Sequence, residues 1–94
     1  MKVGLLTLSY RLYAIESIKE KRSLVRRLLA DVDRFGIAFA ACEADDQDRL
    51  DRLTIRVAHV SNDARHTDAA LRKLQQRLDS GKQMEMIEVE VEVL

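Results

Sequence analysis

Four segments of the chain repeat with a period of two, which is typical of strands, whose successive side chains point to opposite faces of a sheet. The clearest segment lies near the C-terminus, where four apolar residues alternate with three glutamates: Ile87, Val89, Val91 and Val93 with Glu88, Glu90 and Glu92. The same period over residues 3–13, 37–42 and 53–61 predicts three earlier strands. The pattern therefore predicts a sheet of four strands with one buried face.

Two segments between these strands follow the 3.6-residue period of an amphipathic helix instead. Ser17 and Glu20 form a capping box that predicts where the first helix begins, and Gly36 predicts where it ends. Its apolar stripe contains Leu24, Val25, Leu28, Leu29, Val32 and Phe35. The second helix follows a capping triplet, Ser-Asn-Asp, at residues 61–63, and Gly81 predicts its end. Its expected buried stripe contains Ala64, Thr67, Leu71, Leu74 and Leu78.

The predicted order of elements is strand, helix, strand, strand, helix, strand. This βαββαβ order indicates an α+β protein, a sandwich with the ferredoxin-like fold. Right-handed crossovers would place both helices on one face of an antiparallel sheet with the strand order 4-1-3-2, so that the second and fourth strands form the edges. A chain of 94 residues is long enough for one hydrophobic core, and we expect a single domain over residues 1–94.

The composition narrows the class of protein. Hydrophobic residues make up 47% of the chain and charged residues 34%, with no proline, which argues against disorder. The single cysteine, Cys42, cannot pair within the chain, so a reducing cytoplasm is the expected location. Near the N-terminus, polar residues appear from Thr7 and a charge at Arg11, too early for a signal peptide or a membrane span. The sequence therefore predicts a cytoplasmic protein that does not enter a membrane.

Sixteen basic residues balance sixteen acidic ones, but the charges are unevenly distributed. One short segment contains five basic residues, namely Lys19, Lys21, Arg22, Arg26 and Arg27, with Glu20 as its one acid. On a helix, residues at spacings of three and four share a face, so part of this set could contact successive phosphates of a nucleic acid. A charged helix face that is merely solvated is the alternative.

Few residues suggest catalysis or metal binding. His59, His66 and Asp63 offer nitrogen and oxygen ligands for a metal ion, but they lack a recognised ligand spacing. Cys42 with either histidine resembles a thiol nucleophile with its base, yet the sequence supplies no third group to orient them. The acidic residues 43–51 lack the spacing and the glycine of a calcium-binding loop. We therefore expect no enzymatic activity, catalytic residue, metal or cofactor.

Three motifs, in the order in which they occur, resemble the YlxP-like family of small bacterial proteins. They are residues 17–23 (SIKEKRS), Glu43 with Gln47, Asp48 and Arg52, and residues 60–63 (VSND). The resemblance runs from the first strand through the second helix, with departures at Arg49 and Leu50, where the family has an apolar residue and a tryptophan. It implies a cytoplasmic ferredoxin-like domain with no established enzymatic activity. Family members are often encoded beside genes for translation initiation and ribosome maturation, which implies a role linked to RNA.

Structural roles can be predicted for several of these shared residues. Asn62 or Asp63 would cap the second helix, and Glu43 would pair with Arg52 across the turn between the second and third strands. Three basic residues have no structural task that the sequence reveals: Lys19, Lys21 and Arg22. These residues are therefore the best candidates for a functional contact.

The predicted function is that of a non-enzymatic protein associated with ribosomal RNA or the ribosome, which contacts phosphate through the five basic residues named above. The alternative is a homo-oligomeric regulatory or ligand-binding module that uses the surface and the edges of the sheet. The edge strand over residues 37–42 carries no charge. We therefore expect a homodimer that pairs through this strand and buries Ala38, Ala40 and Cys42.

Overall fold

The computed structural model describes residues 1–78 and 81–94. Its elements are β1 (Lys2–Leu12), α1 (Ile18–Phe35), β2 (Phe39–Ala44), β3 (Arg52–Ser61), α2 (Ala64–Arg77) and β4 (Met84–Val93). The strands form one antiparallel sheet with the order β2-β3-β1-β4, which is 4-1-3-2 when it is counted from the opposite edge. The predicted α+β class and βαββαβ topology are confirmed.

The hydrophobic core lies between one face of the sheet and the two helices. The central strands supply six fully buried side chains: Leu6, Leu8 and Tyr10 from β1, and Leu53, Ile55 and Val57 from β3. The helices supply Leu24, Val25, Leu28 and Val32 from α1, and Leu71 and Leu74 from α2. Both helices therefore cover the same face, and the opposite face of the sheet stays open. Within the described part of the chain, neither helix has the length and apolar character that crossing a membrane requires.

The second strand begins and ends two residues later than the predicted range of 37–42. Residues 37 and 38 form a turn in which the amide of Phe39 donates to the carbonyl of Gly36 at 3.4 Å. Ile37, which extends the alternating pattern of the strand, is fully exposed. Glu43 belongs to the strand, where it lies opposite Ile55 of β3, and its carboxylate has a buried cationic partner in Lys21. The alternation alone could not reveal that partner.

The helix caps largely follow the sequence. Ser17 Oγ accepts from the amide of Glu20 at 3.2 Å, and Asp63 Oδ1 accepts from the amide of Arg65 at 2.9 Å. The carboxylate of Glu20 accepts from the amide of Glu16 at 3.4 Å rather than from Ser17, so the reciprocal half of the capping box is displaced by one residue.

The C-terminal ends of the two helices differ in how well they were predicted. Gly36 is the C-cap of α1, as predicted. By contrast, α2 ends at Arg77 with Leu78 as its C-cap, ahead of the predicted stop at Gly81. Gly81 instead bridges to Met84, its amide donating to the Met84 carbonyl at 2.9 Å.

Two contacts fix α2 against β1. The hydroxyl of the buried Tyr10 donates to the carbonyl of Leu78 at 2.5 Å, which satisfies an acceptor at the C-terminal end of the helix. Nearer the start of the helix, Gly4 lies beneath Thr67 and Leu71. A Cβ atom at Gly4 would lie 2.7 Å from Leu71 Cδ1 and closer still to Thr67 Cγ2, so α2 can approach the strand only because residue 4 has no side chain.

Gly4→Ala should therefore lower the free energy of unfolding by about 1–3 kcal/mol, because the added methyl group overpacks the contact between α2 and β1. Urea denaturation measures this change. The matched control is Gly81→Ala, because a Cβ atom at residue 81 would have no atom within 4 Å, and its effect should stay within about 0.5 kcal/mol. Equal effects of the two substitutions would contradict this account of the packing.

Candidate functional site

Lys21 lies inside the protein rather than on the predicted phosphate-binding surface. The residue is 1% exposed, and its ammonium donates to the carbonyl oxygens of Asp46 at 2.5 Å and Gln47 at 3.3 Å. Glu43 Oε2 lies 3.3 Å from Lys21 Nζ in an ion pair that lacks hydrogen-bond geometry. The prediction that Lys21 has no structural task is therefore wrong, and the residue is not free to meet a phosphate.

The loop between β2 and β3 is shaped around this ammonium. Asp46 adopts a left-handed backbone conformation with φ of 58°, which aspartate tolerates better than most residues. The side-chain amide of Gln47 donates back to the carbonyl of Glu43 at 3.3 Å. Lys21, Glu43, Asp46 and Gln47 together form what we term the lysine anchor, which ties α1 to β2 and to the loop.

The predicted pair between Glu43 and Arg52 is wrong. Arg52 lies across from Arg11 of β1, whereas Glu43 is paired with Lys21. Arg49, a residue at which the chain departs from the YlxP-like pattern, forms a bidentate contact with Asp51 at 2.8 and 2.9 Å. This contact lowers the pKa of the Asp51 carboxyl and raises that of the Arg49 guanidinium. Both members of the Arg49–Asp51 pair are exposed, so the contact shapes the loop more than it stabilises the fold.

The third motif of the resemblance also has a structural role. Ser61 Oγ donates to the carbonyl of Asp63 at 2.8 Å and lies 2.6 Å from Thr67 Oγ1, which in turn lies 3.1 Å from His59 Nδ1. Because Ser61 has a single proton and gives it to a carbonyl, Thr67 donates to Ser61 and His59 Nδ1 donates to Thr67. The chain of hydrogen bonds joins the end of β3 to the first turns of α2.

His59 occupies a buried place between two rings. It is 3% exposed, and its ring lies 4.6 Å from Phe39 and 5.6 Å from His66, between centroids. Burial lowers the pKa of His59, and the neighbouring His66 lowers it further. These surroundings favour the neutral imidazole. A neutral His59 has a structural role and does not offer a positive charge to an anion.

The structure separates the residues that suggested catalysis. Cys42 is exposed on the open face of the sheet, whereas His59 faces the helices, so the two cannot form a nucleophile and base. Over residues 1–78 and 81–94, no cluster of three or more histidine, cysteine or acidic side chains is placed to hold a metal ion.

The remaining four basic residues of the run are exposed: Lys19, Arg22, Arg26 and Arg27. Arg27 lines a cleft of about 400 Å³ between α1 and the end of α2, together with Arg77 and Lys82. A neighbouring, more open cleft of about 570 Å³ is lined by Arg26 and again by Arg27. We refer to Arg26, Arg27, Arg77 and Lys82 as the basic face. Arg77 and Lys82 were missed, since their nearness to Arg27 depends on how the helices pack.

The cations of the basic face are not neutralised within the described chain. Asp31, which lines the smaller cleft, pairs with Arg34, and Glu20, which lines the larger cleft, accepts from the amide of Glu16 at 3.4 Å. No carboxylate of residues 1–78 and 81–94 lies within ion-pair distance of the four residues of the basic face. The helices carry ten basic and four acidic residues, so the chain of zero net charge has a positive helical layer.

Replacing Lys21 tests the lysine anchor. Lys21→Met should lower the free energy of unfolding by about 3 kcal/mol, because it leaves the Glu43 carboxylate and two loop carbonyls without their cation. Chemical denaturation gives the value, and combining the change with Glu43→Gln in a double-mutant cycle gives the coupling between the two side chains.

The control is Lys19→Met, which removes the same charge from an exposed position of the same helix and should change stability by about 0.5 kcal/mol or less. If Lys21→Met were no more destabilising than Lys19→Met, the lysine anchor would not support the fold.

Comparison with known proteins gives a family and no function. The family model described as "Protein of unknown function (DUF503)" matches residues 3–91. No curated protein matches the chain. Among solved structures, the de novo designed protein Foldit4 is similar, with 20% sequence identity over 100% of this chain and 97% of that chain, and a TM-score of 0.49. Since the family model spans nearly the whole sequence, this protein belongs to the DUF503 family of proteins of unknown function.

Proposed function

We propose that this protein is a non-enzymatic RNA-binding protein, associated with ribosomal RNA or the ribosome, that contacts phosphates through its basic face. The observation that carries the proposal is the convergence of Arg26, Arg27, Arg77 and Lys82, from three separate segments, on two adjoining clefts. Cations that line a concave surface and have no carboxylate partner among residues 1–78 and 81–94 are suited to a polyanion, because binding it does not require breaking an ion pair within that part of the chain.

The chemistry of these side chains favours phosphate as the contacted group. A guanidinium presents a planar set of donors that matches two phosphate oxygens at once, and three of the four residues are arginines. Lys19, Arg22 and Arg26 follow one another at spacings of three and four along α1, so Lys19 and Arg22 extend the cationic surface along the helix. A backbone that carries one charge per nucleotide could follow that surface.

The open face of the sheet supports recognition of the backbone rather than of the bases. Domains of this topology that stack RNA bases use aromatic side chains on that face. Here the corresponding positions of the two central strands carry Thr7 and Arg56, together with Ser9 and Thr54, which are buried and whose hydroxyl oxygens lie 3.2 Å apart. We therefore propose that binding depends on the charge and shape of the RNA and only weakly on its sequence.

The resemblance to the YlxP-like family is consistent with this proposal, because its members are often encoded beside ribosome-maturation genes. We propose that the chain is a YlxP-like member of its family. Lys21, Ser61 and Asp63, which carry part of the resemblance, act within the fold, so the proposed binding surface rests on the exposed arginines and Lys82.

A homo-oligomeric regulatory or ligand-binding module is the second candidate function. The observation that favours it is the outer edge of β2, which has no neighbouring strand in the described chain. The two candidates differ in their response to salt, because contacts with phosphate release condensed counterions whereas pairing of strands does not.

Binding to ribosomal RNA should weaken as salt rises, and Arg26→Ala combined with Arg27→Ala should make the slope of log affinity against log salt shallower by roughly 1 to 2. Fluorescence anisotropy over a salt series measures both quantities. The control is Arg11→Ala combined with Arg56→Ala, which removes the same charge from the open face of the sheet.

The control pair should leave most of the affinity and the slope in place. Absence of binding at low salt would refute the proposed function. Equal losses in the two double variants would show that net charge, and not the basic face, governs binding.

A further inference from the structure

The outer edge of β2 has a defined set of unpaired backbone groups. The amide of Val60 donates to the carbonyl of Ala38 at 3.2 Å, and the β2–β3 register continues from this pair. In an antiparallel ladder, alternate residues of a strand bond to the same neighbour. Ala38, Ala40, Cys42 and Ala44 therefore direct their backbone groups toward β3, and Phe39, Ala41 and Glu43 direct theirs away from it.

Two of the six outward groups already have partners within the chain. The amide of Phe39 donates to the carbonyl of Gly36, and the carbonyl of Glu43 accepts from the side chain of Gln47. Four groups have no hydrogen-bond partner among residues 1–78 and 81–94: the carbonyl of Phe39, the amide and carbonyl of Ala41, and the amide of Glu43. Unpaired groups of this kind form a template for another strand.

We propose that β2 pairs with β2 of a second copy of this chain, antiparallel, about a two-fold axis beside Ala41. In this register the two Ala41 residues exchange both of their backbone hydrogen bonds, and the amide of Glu43 donates to the carbonyl of the partner's Phe39 on each side. All eight free groups are then satisfied by four bonds. The amide of Phe39 and the carbonyl of Glu43 already have partners within their own chain. In this register these are the groups that would otherwise face each other across the interface.

Neighbouring registers fit less well. An axis beside Phe39 would require two amides that are already bonded to Gly36, and an axis beside Glu43 would require two carbonyls already bonded to Gln47. Of these three registers, the one about Ala41 therefore pairs every free donor of one copy with a free acceptor of the other. This self-complementarity favours a second copy over an unrelated extended peptide.

The side chains around this edge support the same occupant. Ala38, Ala40 and Cys42 are small, and Ile37, at the start of the edge, is fully exposed. The other edge of the sheet, β4, carries three glutamates on its open face, namely Glu88, Glu90 and Glu92, which would repel a copy of themselves. Pairing of copies is thus directed to β2, where Glu43 is already neutralised by Lys21.

In this arrangement the residues of the predicted interface contribute side chains rather than backbone groups. The backbone groups of Ala38, Ala40 and Cys42 bond to β3, so these residues do not form the new ladder. Their side chains line its open face, where Ala40 comes opposite the partner's Cys42. The two residues form a pair without hydrogen bonds between them, for which the Cα separation is about 4.5 Å and allows a disulfide bond.

Cysteine cross-linking with oxidised glutathione as the added oxidant tests the register. Ala40→Cys should give a covalent dimer through two symmetric disulfides, each to the native Cys42 of the other copy. The control is Ala38→Cys, which adds an exposed thiol to the same face but lies two residues away from the partner's Cys42. Combining Ala40→Cys with Cys42→Ala should abolish the symmetric product.

Sedimentation equilibrium tests the association itself. The variant Ala41→Pro removes the amide at the centre of the proposed ladder. Because this amide points away from β3, the ladder between β2 and β3 of the monomer stays intact. The unmodified protein should be dimeric at micromolar concentration, and Ala41→Pro should weaken the dimer roughly tenfold or more by deleting two of four hydrogen bonds while the circular dichroism stays native. A monomer at high micromolar concentration would overturn the proposal. So would a dimer in which Ala38→Cys cross-links as well as Ala40→Cys, or one that Ala41→Pro does not weaken.

Discussion

The ammonium of Lys21 is buried, and a buried ammonium needs oxygen atoms around it. This requirement fixes α1, the end of β2 and the loop between β2 and β3 relative to one another. The cost of removing a lysine charge from water is several kcal/mol, so the fold is stable only if Glu43 and the carbonyls of Asp46 and Gln47 stand where they do. That condition sets the end of β2, the left-handed turn at Asp46 and the position of α1 against the sheet. The lysine anchor thus joins three segments that the hydrophobic core alone would leave less well defined.

The helix that carries Lys21 also carries Arg26 and Arg27 of the proposed binding surface, and the 3.6-residue period places them on different sides of the helix. Lys21 points inward with Leu24 and Leu28, while Arg26 and Arg27 point outward. The proposed pairing of β2 would extend the sheet across a two-fold axis perpendicular to it, which keeps the helices of both copies on one side. Two basic faces would then lie on the same surface of the dimer, where one RNA molecule could engage both.

The sequence was informative where local periodicity decides structure. The topology followed from the period of two and the helix period, and Ser17 and the triplet at residues 61–63, of which Asp63 is the cap, marked the helix starts. The limits of β2 were displaced because Ile37 extends an alternating pattern without being buried. The spacing of Lys21 indicates that it is buried, since it precedes Leu24 and Leu28 by three and seven residues and so lies on the apolar stripe. Because its neighbours in the sequence are basic, Lys21 was grouped with them as a surface residue.

Other features depend on contacts between distant segments, which spacing cannot reveal. Arg77 and Lys82 join Arg27 only because α2 ends beside α1. The free groups of β2 depend on which residues of that strand bond to β3, and hence on a register that the sequence alone leaves open. The requirement for glycine at residue 4 likewise depends on where Thr67 and Leu71 approach β1.

The central claim is that Lys21 serves the fold while the neighbouring arginines are available to a ligand. Nitrogen-15 NMR of the lysine Nζ and arginine Nε groups, recorded while ribosomal RNA is added, tests it most directly. The Lys21 ammonium should exchange its protons with water far more slowly than that of Lys19 and should not shift, whereas the Nε signals of Arg26 and Arg27 should shift. Exchange at Lys21 as fast as at Lys19, or a shift of its signal with added RNA, would contradict the account.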